Sequence, residues 1–171
     1  VNGIYTVLVD PAAKIGETEY ATLQEALNVG GNVTLLRDVN VAEQLILPEG
    51  KTAVLDLNGM SIKGANESEG RHIYALKNYG TLTIVDNTDN KEGSIDSRGI
   101  YNYNKLTLES GKISAIDGNG GYAVNNQSGS TFVMNGGWIA ADYEDNDAQI
   151  SLKEDLAKEM AKVHEHEEEC H

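Results

Sequence analysis

The sequence contains few residues that could fix a fold by covalent cross-links. Its single cysteine, Cys170, excludes an internal disulfide and leaves the redox compartment open. No apolar run approaches membrane-spanning length, so membrane insertion is not expected. No signal peptide is recognisable, but the chain begins at Val1 without an initiator methionine. We expect a mature product or an excised fragment, for which a missing export signal carries no information.

Positive charge is also scarce. There are 13 lysines and arginines against 27 acidic residues, which gives a formal net charge of −14. Nucleic acids are bound through clustered lysine and arginine, and anionic membrane surfaces attract basic segments. Neither partner is expected here. The acidity is explained by a solvated, solubilising surface.

The central part of the chain lacks segments of helix length and repeats itself instead. Three stretches align at a constant offset of 24 residues, with Leu76 matching Ile100 and Val124. Within each copy apolar and polar residues alternate, which indicates short strands with one buried face. A repeat of this length made of strands and turns predicts one coil of a parallel β-helix. The leucine–asparagine consensus of a leucine-rich repeat is missing.

Each copy ends in a glycine-containing turn and a further short strand. Glycine suits corners where the backbone takes a positive φ or passes close to the next coil. Val33–Leu36 and Leu45–Leu47 have the pattern of strands in less regular first coils. The expected number of coils is therefore about five. The predicted fold class is all-β, a single-stranded parallel β-helix. The predicted divisions are an N-terminal strand and capping helix (1–31), the β-helix (32–142) and an acidic C-terminal helix and tail (143–171).

Three asparagines share the parity of the buried residues: Asn78, Asn102 and Asn126. Stacked side-chain amides can hydrogen-bond along a column, each satisfying its neighbour. The alternative is that they are turn residues without a ladder. The ladder is favoured because an apolar residue occupies the same position before all three.

Both ends of the chain carry segments suited to covering the ends of a stack. Ile4–Val9 has the pattern of a strand, and Thr22–Glu25 forms a capping box that opens a short helix. That helix would place Leu23, Ala26 and Leu27 over the first coil. A second capping box, Ser151–Glu154, begins a predicted C-terminal helix with one apolar stripe. It is expected either to fold back on the last coil or to mediate self-association or attachment to a larger parent assembly. The stripe comprises Leu152, Leu156, Met160 and Val163.

One part of the sequence resembles the start of a known type of repeat region. It consists of the stretch from Tyr20 to Leu27, the glycine pair after it and Val33–Val39. It is similar to right-handed, pectate-lyase-like parallel β-helix regions of bacterial surface and secreted proteins. Val54–Gly59 and Thr81–Ile84 resemble the next rungs, so the resemblance covers roughly residues 17–140. Related β-helices occur in phage fibres and decoration proteins, and in polysaccharide lyases and hydrolases. The resemblance implies an extracellular, cell-surface or virion location, but a fold alone cannot choose among these roles.

No recurrent catalytic grouping accompanies the repeat. A lyase of the resembled type is expected to carry a calcium site of aspartates and a basic residue, and a glycosidase needs paired carboxylates. The outward strand positions carry lysine, tyrosine and threonine. We therefore expect a non-catalytic structural or adhesive module, and the alternative is a polysaccharide lyase or glycoside hydrolase, or a fragment of one. The acids lie in predicted turns, at Asp86, Asp89, Glu92, Asp96 and Asp117.

Two segments contain possible metal ligands. The turn of residues 86–92 is rich in side-chain oxygens, but it lacks EF-hand spacing and includes Lys91. Local hydrogen bonding in turns explains that composition. In the tail, His166 and Cys170 would share one face of a helix, but a complete four-ligand zinc site within one helix is geometrically unfavourable. No metal or other cofactor is therefore expected.

Outward tyrosines are the strongest candidate for a binding site. Tyr101 and Tyr103 share a predicted strand, and Tyr79 lies in register with Tyr103 one coil away. With coils about 4.8 Å apart, Tyr79 and Tyr103 are expected to form a small flat platform. Sugar rings stack on such surfaces, so a cell-surface glycan is one expected ligand. The alternative is that the C-terminal helix or a neighbouring subunit covers this face.

Overall fold

The structure is a computed structural model, which describes residues 10–64, 74–96, 98–115 and 122–141. Several predictions fall on other positions. The strand at Ile4–Val9, the C-terminal helix and the tail with His166 and Cys170 lie outside the described residues, as does Asp117.

The described residues form one helix and sixteen short strands. Strands β1 (Ala13–Ile15) and β2 (Thr18–Tyr20) precede helix α1 (Leu23–Val29). The other strands are β3 (Gly31–Leu35), β4 (Val39–Asn40), β5 (Leu45–Leu47), β6 (Thr52–Asp56), β7 (Ser61–Lys63), β8 (Leu76–Asn78), β9 (Thr81–Val85), β10 (Ser94–Asp96), β11 (Ile100–Asn102), β12 (Lys105–Leu108), β13 (Lys112–Ala115), β14 (Val124–Asn126), β15 (Thr131–Met134) and β16 (Trp138–Ala141).

These strands build a parallel β-solenoid with three sides. The first side contains β3, β6, β9, β12 and β15, the second β4, β7, β10, β13 and β16, and the third β5, β8, β11 and β14. The antiparallel pair β1–β2 extends the first side beyond β3. The predicted all-β parallel repeat fold is confirmed. It has about four turns, so the expected count of about five was too high, because β15 and β16 begin a further turn whose third side is not among the described residues.

The 24-residue offset found in the sequence is the pairing register of neighbouring strands on the third side. Ile100 pairs with Leu76 below it and with Val124 above it. On the first side Leu106 pairs with Phe132, an offset of 26, so the turn before β15 absorbs two extra residues. An isoleucine column on the second side links Ile62, Ile95, Ile113 and Ile139.

The core follows the alternation along each strand. In β9, for example, Leu82 and Ile84 are fully buried between half-exposed threonines and a valine. Burying each such side chain contributes about 1.5–3 kcal/mol relative to leaving it in water. The core is less protected from solvent at the last turn, where the inward residues Val124, Phe132 and Ile139 are only partly buried. Among the described residues no later strand lies over them.

Helix α1 begins as its sequence predicts. The Thr22 hydroxyl accepts from the Glu25 N–H (3.2 Å), and the Glu25 carboxylate accepts from the Thr22 N–H (3.0 Å). The apolar face of the helix, with Leu23, Ala26 and Leu27, is buried. Gly30, with φ 82°, ends the helix where an added Cβ would meet the Thr52 carbonyl oxygen at 2.8 Å. Within the part of the chain that the structure describes, no helix is long and apolar enough to cross a membrane.

Candidate ligand-binding surface

Four tyrosines meet on the third side of the solenoid, and we call them the tyrosine cluster: Tyr74, Tyr79, Tyr101 and Tyr103. The rings of Tyr79 and Tyr103 stack with centroids 4.5 Å apart and planes 13° apart. Tyr103 also stacks on Tyr101, at 4.8 Å and 22°. Tyr74 meets Tyr101 edge to face, at 4.8 Å and 89°.

The strand register places these rings together. The Tyr103 N–H donates to the Asn78 carbonyl oxygen (2.8 Å), and the Tyr79 N–H donates to the Leu47 carbonyl oxygen (3.0 Å). Equivalent corners of successive turns therefore carry Tyr79 and Tyr103. The spacing between neighbouring strands, about 4.8 Å, is also suited to offset stacking of aromatic rings. The contact between these two rings thus follows from one aromatic residue per turn at a fixed corner.

The cluster is a stack, whereas the sequence predicted a flat platform. Parallel rings at 4.5–4.8 Å overlap face to face and do not lie side by side in one plane. The faces that Tyr79 and Tyr103 turn toward each other are therefore closed to a ligand. What remains accessible is part of Tyr103, which is 39% exposed, and smaller parts of the half-buried Tyr79 and Tyr101. Ligand binding by these three residues stays a prediction.

Sequence reasoning did not include Tyr74 in this site. Tyr74 is 8% exposed, and its hydroxyl accepts from the Asn125 side-chain amide at 3.0 Å. Asn125 in turn accepts from the Gln127 side-chain amide at 2.6 Å. Tyr74 and Asn125 are 51 positions apart, which does not match the 24-residue offset. The one signal in the sequence was that Tyr74 lies two residues before Leu76, at the start of a repeat.

Two phenols of the cluster, those of Tyr74 and Tyr103, have a raised pKa. Burial raises the pKa of Tyr103 above its ordinary value, and the neighbouring Tyr79 and Tyr101 raise it further. Burial also raises the pKa of Tyr74, against a smaller lowering by the hydrogen bond from Asn125. A neutral phenol both donates and accepts hydrogen bonds. The accessible rim of the cluster can therefore pair with hydroxyl groups of a ligand.

An asparagine ladder lies directly inside this surface. The Asn78 side-chain amide donates to the Asn102 side-chain oxygen (2.8 Å), and the Asn102 amide donates to that of Asn126 (2.6 Å). The Asn78 amide also donates to the Lys105 carbonyl oxygen (2.8 Å), and Asn102 donates likewise to Thr131 (3.0 Å). The predicted ladder is confirmed. It ties the turns that carry the tyrosine cluster to each other and to the adjacent side of the solenoid.

The acidic turn of residues 86–92 is a structural element centred on one buried carboxylate. Asp86 Oδ1 accepts from the N–H groups of Gly59 (3.2 Å) and Thr88 (3.0 Å) and from the Thr88 hydroxyl (2.6 Å). Asp86 Oδ2 accepts from the Gly93 N–H (2.5 Å). Burial acts to raise the pKa of Asp86, but these hydrogen bonds together outweigh it and lower the pKa. Both oxygens are thus engaged by protein donors.

The described part of the chain contains no cluster of potential metal ligands. In residues 10–64, 74–96, 98–115 and 122–141, no three histidine, cysteine or acidic side chains are close enough to hold an ion together. The buried polar side-chain atoms of these same residues all have hydrogen-bond partners. The tyrosine cluster is therefore the best-defined candidate surface that the structure describes.

Compared with protein-family models, with curated proteins and with solved structures, the chain matches none. The structure shows the parallel β-solenoid, and the resemblance of residues 17–140 to bacterial β-helix regions stays a prediction from the sequence motifs.

Proposed function

We propose that this chain is a non-catalytic structural or adhesive β-helix module of a bacterial surface or phage virion protein, which works outside the cell. Its role is to hold a rigid, acidic surface in place, with the tyrosine cluster as a contact for cell-surface carbohydrate. The right-handed sense of the coil and a capping role for α1 are part of this proposal.

The hydrogen bonding between successive turns is the observation that supports the proposal best. The Asn78–Asn102–Asn126 ladder links three successive turns inside the surface that carries the tyrosines. Preorganised groups lose little conformational entropy on binding, so a fixed surface binds more tightly than a mobile one with the same contacts. A solenoid whose turns are cross-linked in this way is suited to presenting side chains.

The hydrogen bonds of the turn acids favour this role over the enzymatic alternative. Asp56 accepts from the Asn87 N–H (3.1 Å) and from the Asn87 side-chain amide (2.8 Å). Asp86 is occupied by Gly59, Thr88 and Gly93 as described above. A carboxylate that already accepts several protein donors is poorly placed to take a proton from a substrate. Incubation with uronate-containing polymers, with and without calcium, tests the alternative, and turnover that is lost in an Asp86 variant still folded under the assay conditions would establish it.

A glycan-binding measurement tests the adhesive role. We expect wild-type protein to bind one or more glycans on an array, and Tyr103→Ala to lose about two- to tenfold in affinity, because one aromatic contact contributes about 0.5–1.5 kcal/mol beyond its burial. Trp138→Ala is the matched control, since Trp138 is a half-exposed aromatic residue on the second side. Binding that survives Tyr79→Ala and Tyr103→Ala would rule out the cluster as the contact.

The partly covered last turn supports a second part of the proposal, assembly through the C-terminal end. The half-buried Val124, Phe132 and Ile139 leave apolar surface there, next to Trp138 at 50% exposure. We propose that the segment after Ala141, with its Leu152 to Val163 stripe, joins the module to a parent assembly or to other copies. Molar mass measured by light scattering during chromatography tests self-association. A monomer at high micromolar concentration refutes it.

A further inference from the structure

Tyr122, just before β14, is an aromatic residue outside the tyrosine cluster. Its side chain is 64% exposed, more than that of any residue in the cluster. Tyr122 and Tyr74 each lie two residues before a strand of the third side, β14 and β8 respectively, and so occupy equivalent positions two turns apart. Within the part of the chain that the structure describes, no ring contact involves Tyr122. Its ring is therefore open to a ligand.

Tyr74 reaches across the third side toward Tyr122. It precedes β8, yet its hydroxyl accepts from the side-chain amide of Asn125 in β14 at 3.0 Å. Strand β11 lies between β8 and β14, so Tyr74 spans two strand spacings, about 10 Å. Burial raises the pKa of Tyr74, and the phenols of Tyr101 and Tyr122 act in the same direction against the hydrogen bond from Asn125. The Tyr74 hydroxyl thus lies beside Asn125 and in the neighbourhood of Tyr122.

A short chain of hydrogen bonds ends at this hydroxyl. The Gln127 side-chain amide donates to the Asn125 side-chain oxygen at 2.6 Å, and the Asn125 amide donates to Tyr74. The Tyr74 oxygen is an acceptor in this chain, and its own proton has no acceptor among the described residues. Hydrogen bonds in series polarise one another, which makes the last proton a stronger donor than that of an isolated phenol. Since Tyr74 is only 8% exposed, a ligand oxygen that accepts this proton satisfies a largely buried donor.

This surface differs in charge from the rest of the chain. The segments 74–79, 98–104 and 122–127 carry the third side from β8 to β14, and they contain no aspartate or glutamate. The whole chain has 27 acidic residues. No carboxylate of these three segments therefore competes for the Tyr74 proton or repels an oxygen-rich ligand.

We infer that Tyr122 and Tyr74 form a subsite for one pyranose ring, an inference that rests on the proposed carbohydrate role. The apolar face of the sugar stacks on the open ring of Tyr122, and one sugar oxygen accepts the proton of Tyr74. Aromatic rings provide the apolar contact in such sites, and a few placed polar groups fix the orientation of the ligand. Tyr122 thus supplies the stacking face that the closed Tyr79–Tyr103 pair lacks.

Titration calorimetry with oligosaccharides of glucose, galactose, mannose, N-acetylglucosamine or galacturonic acid tests this subsite. For an oligosaccharide that wild-type protein binds, we expect Tyr122→Leu to weaken binding about two- to tenfold and Tyr122→Phe to retain it, because stacking needs the ring alone. Tyr74→Phe keeps its ring and removes the donor, so we expect a loss of about two- to tenfold. Trp138→Leu, at an exposed aromatic residue on the second side, is the matched control and should bind as the wild type does.

The outcomes separate this subsite from the carbohydrate role as a whole. Wild-type protein that binds none of these oligosaccharides would overturn both. Wild-type binding that Tyr122→Leu leaves unchanged would overturn the subsite alone, and unchanged binding in Tyr74→Phe would overturn the donor role of Tyr74. Aromatic NMR spectra recorded during the titration give a second readout. We expect the ring signals of Tyr122 to shift and those of Trp138 to stay in place, and the reverse pattern would contradict the assignment.

Discussion

The side-chain amide of Asn78 donates a 2.8 Å hydrogen bond to the side-chain oxygen of Asn102, which lies 24 residues later in the chain and in the next strand of the third side. Both residues are fully buried. A buried amide without partners costs about 1–3 kcal/mol, so a column of asparagines is stable only when each one is in register with the next. The ladder therefore specifies the alignment of successive turns as well as stabilising them.

We expect Asn102→Ala to lower the free energy of unfolding by about 2–3 kcal/mol. Asn102 accepts from Asn78 and donates to Asn126 and to the Thr131 carbonyl oxygen, so its loss leaves several buried groups short of a partner. Equilibrium unfolding in urea measures the change. Asn126→Ala is the matched control at the exposed end of the ladder, and should cost less than about 1 kcal/mol. Equal losses in the two variants would show that burial does not set the strength of the ladder.

Much of the fold could be predicted because the repeat is regular. The match of Leu76 with Ile100 and Val124 supplied the register of the third side, and the parity of Asn78 supplied the ladder. These features depend only on strand periodicity and constant turn length. The number of turns was harder to predict from the sequence, since the first and last turns have irregular spacing.

The shape of the tyrosine cluster and the role of Asp86 were not predictable in the same way. A period of two places Tyr79 and Tyr103 on the outside, but it does not determine the side-chain torsions that turn a platform into a stack. Asp86 lies in a stretch whose composition is typical of a solvated turn. Its burial depends on Gly59 and Gly93 reaching it from other corners of the chain, which the linear pattern does not reveal.

We expect Asp86→Asn to destabilise the protein by about 2–3 kcal/mol at neutral pH, since the charged acceptor of four hydrogen bonds is lost. The folded pKa of Asp86 is lowered, so its contribution is fully present above the unfolded value of about 3.9 and is lost as pH falls below it. The difference between wild type and Asp86→Asn should therefore shrink as the pH falls from about 4 to about 3.

Asp89→Asn is the control for this carboxylate, because Asp89 is an exposed acid in the same turn. Its stability should follow that of the wild type at every pH. Urea unfolding at several pH values makes the comparison. A gap between wild type and Asp86→Asn that stays constant down to pH 3 would mean that the lowered pKa is not the source of the stability.

At alkaline pH, ionisation of Tyr103 should lower the stability of the protein. The folded pKa of Tyr103 is raised, so its contribution is fully present below the unfolded value of about 10 and is lost as pH rises through the folded pKa. Tyr103→Phe keeps the ring stack and removes the ionisable group, so it should be less sensitive to high pH than the wild type. Thermal unfolding from pH 8 upward, with titration of phenolate absorbance, measures both effects. Tyr122→Phe, at a more exposed tyrosine, is the control.

The last prediction concerns Gln24, whose side chain pairs with the backbone of Ile46 in the manner of a neighbouring strand. Its amide nitrogen donates to the Ile46 carbonyl oxygen and its oxygen accepts from the Ile46 N–H, both at 2.8 Å. β5 is the end strand of the third side, so this contact protects an otherwise free edge. We expect Gln24→Ala to cost about 1 kcal/mol and to accelerate exchange of the Ile46 amide. Asn28→Ala, which removes only the partner of Gln24 within α1, should leave that exchange near the wild-type rate. An Ile46 amide that stays equally protected in Gln24→Ala would show that the edge is covered by something other than this side chain.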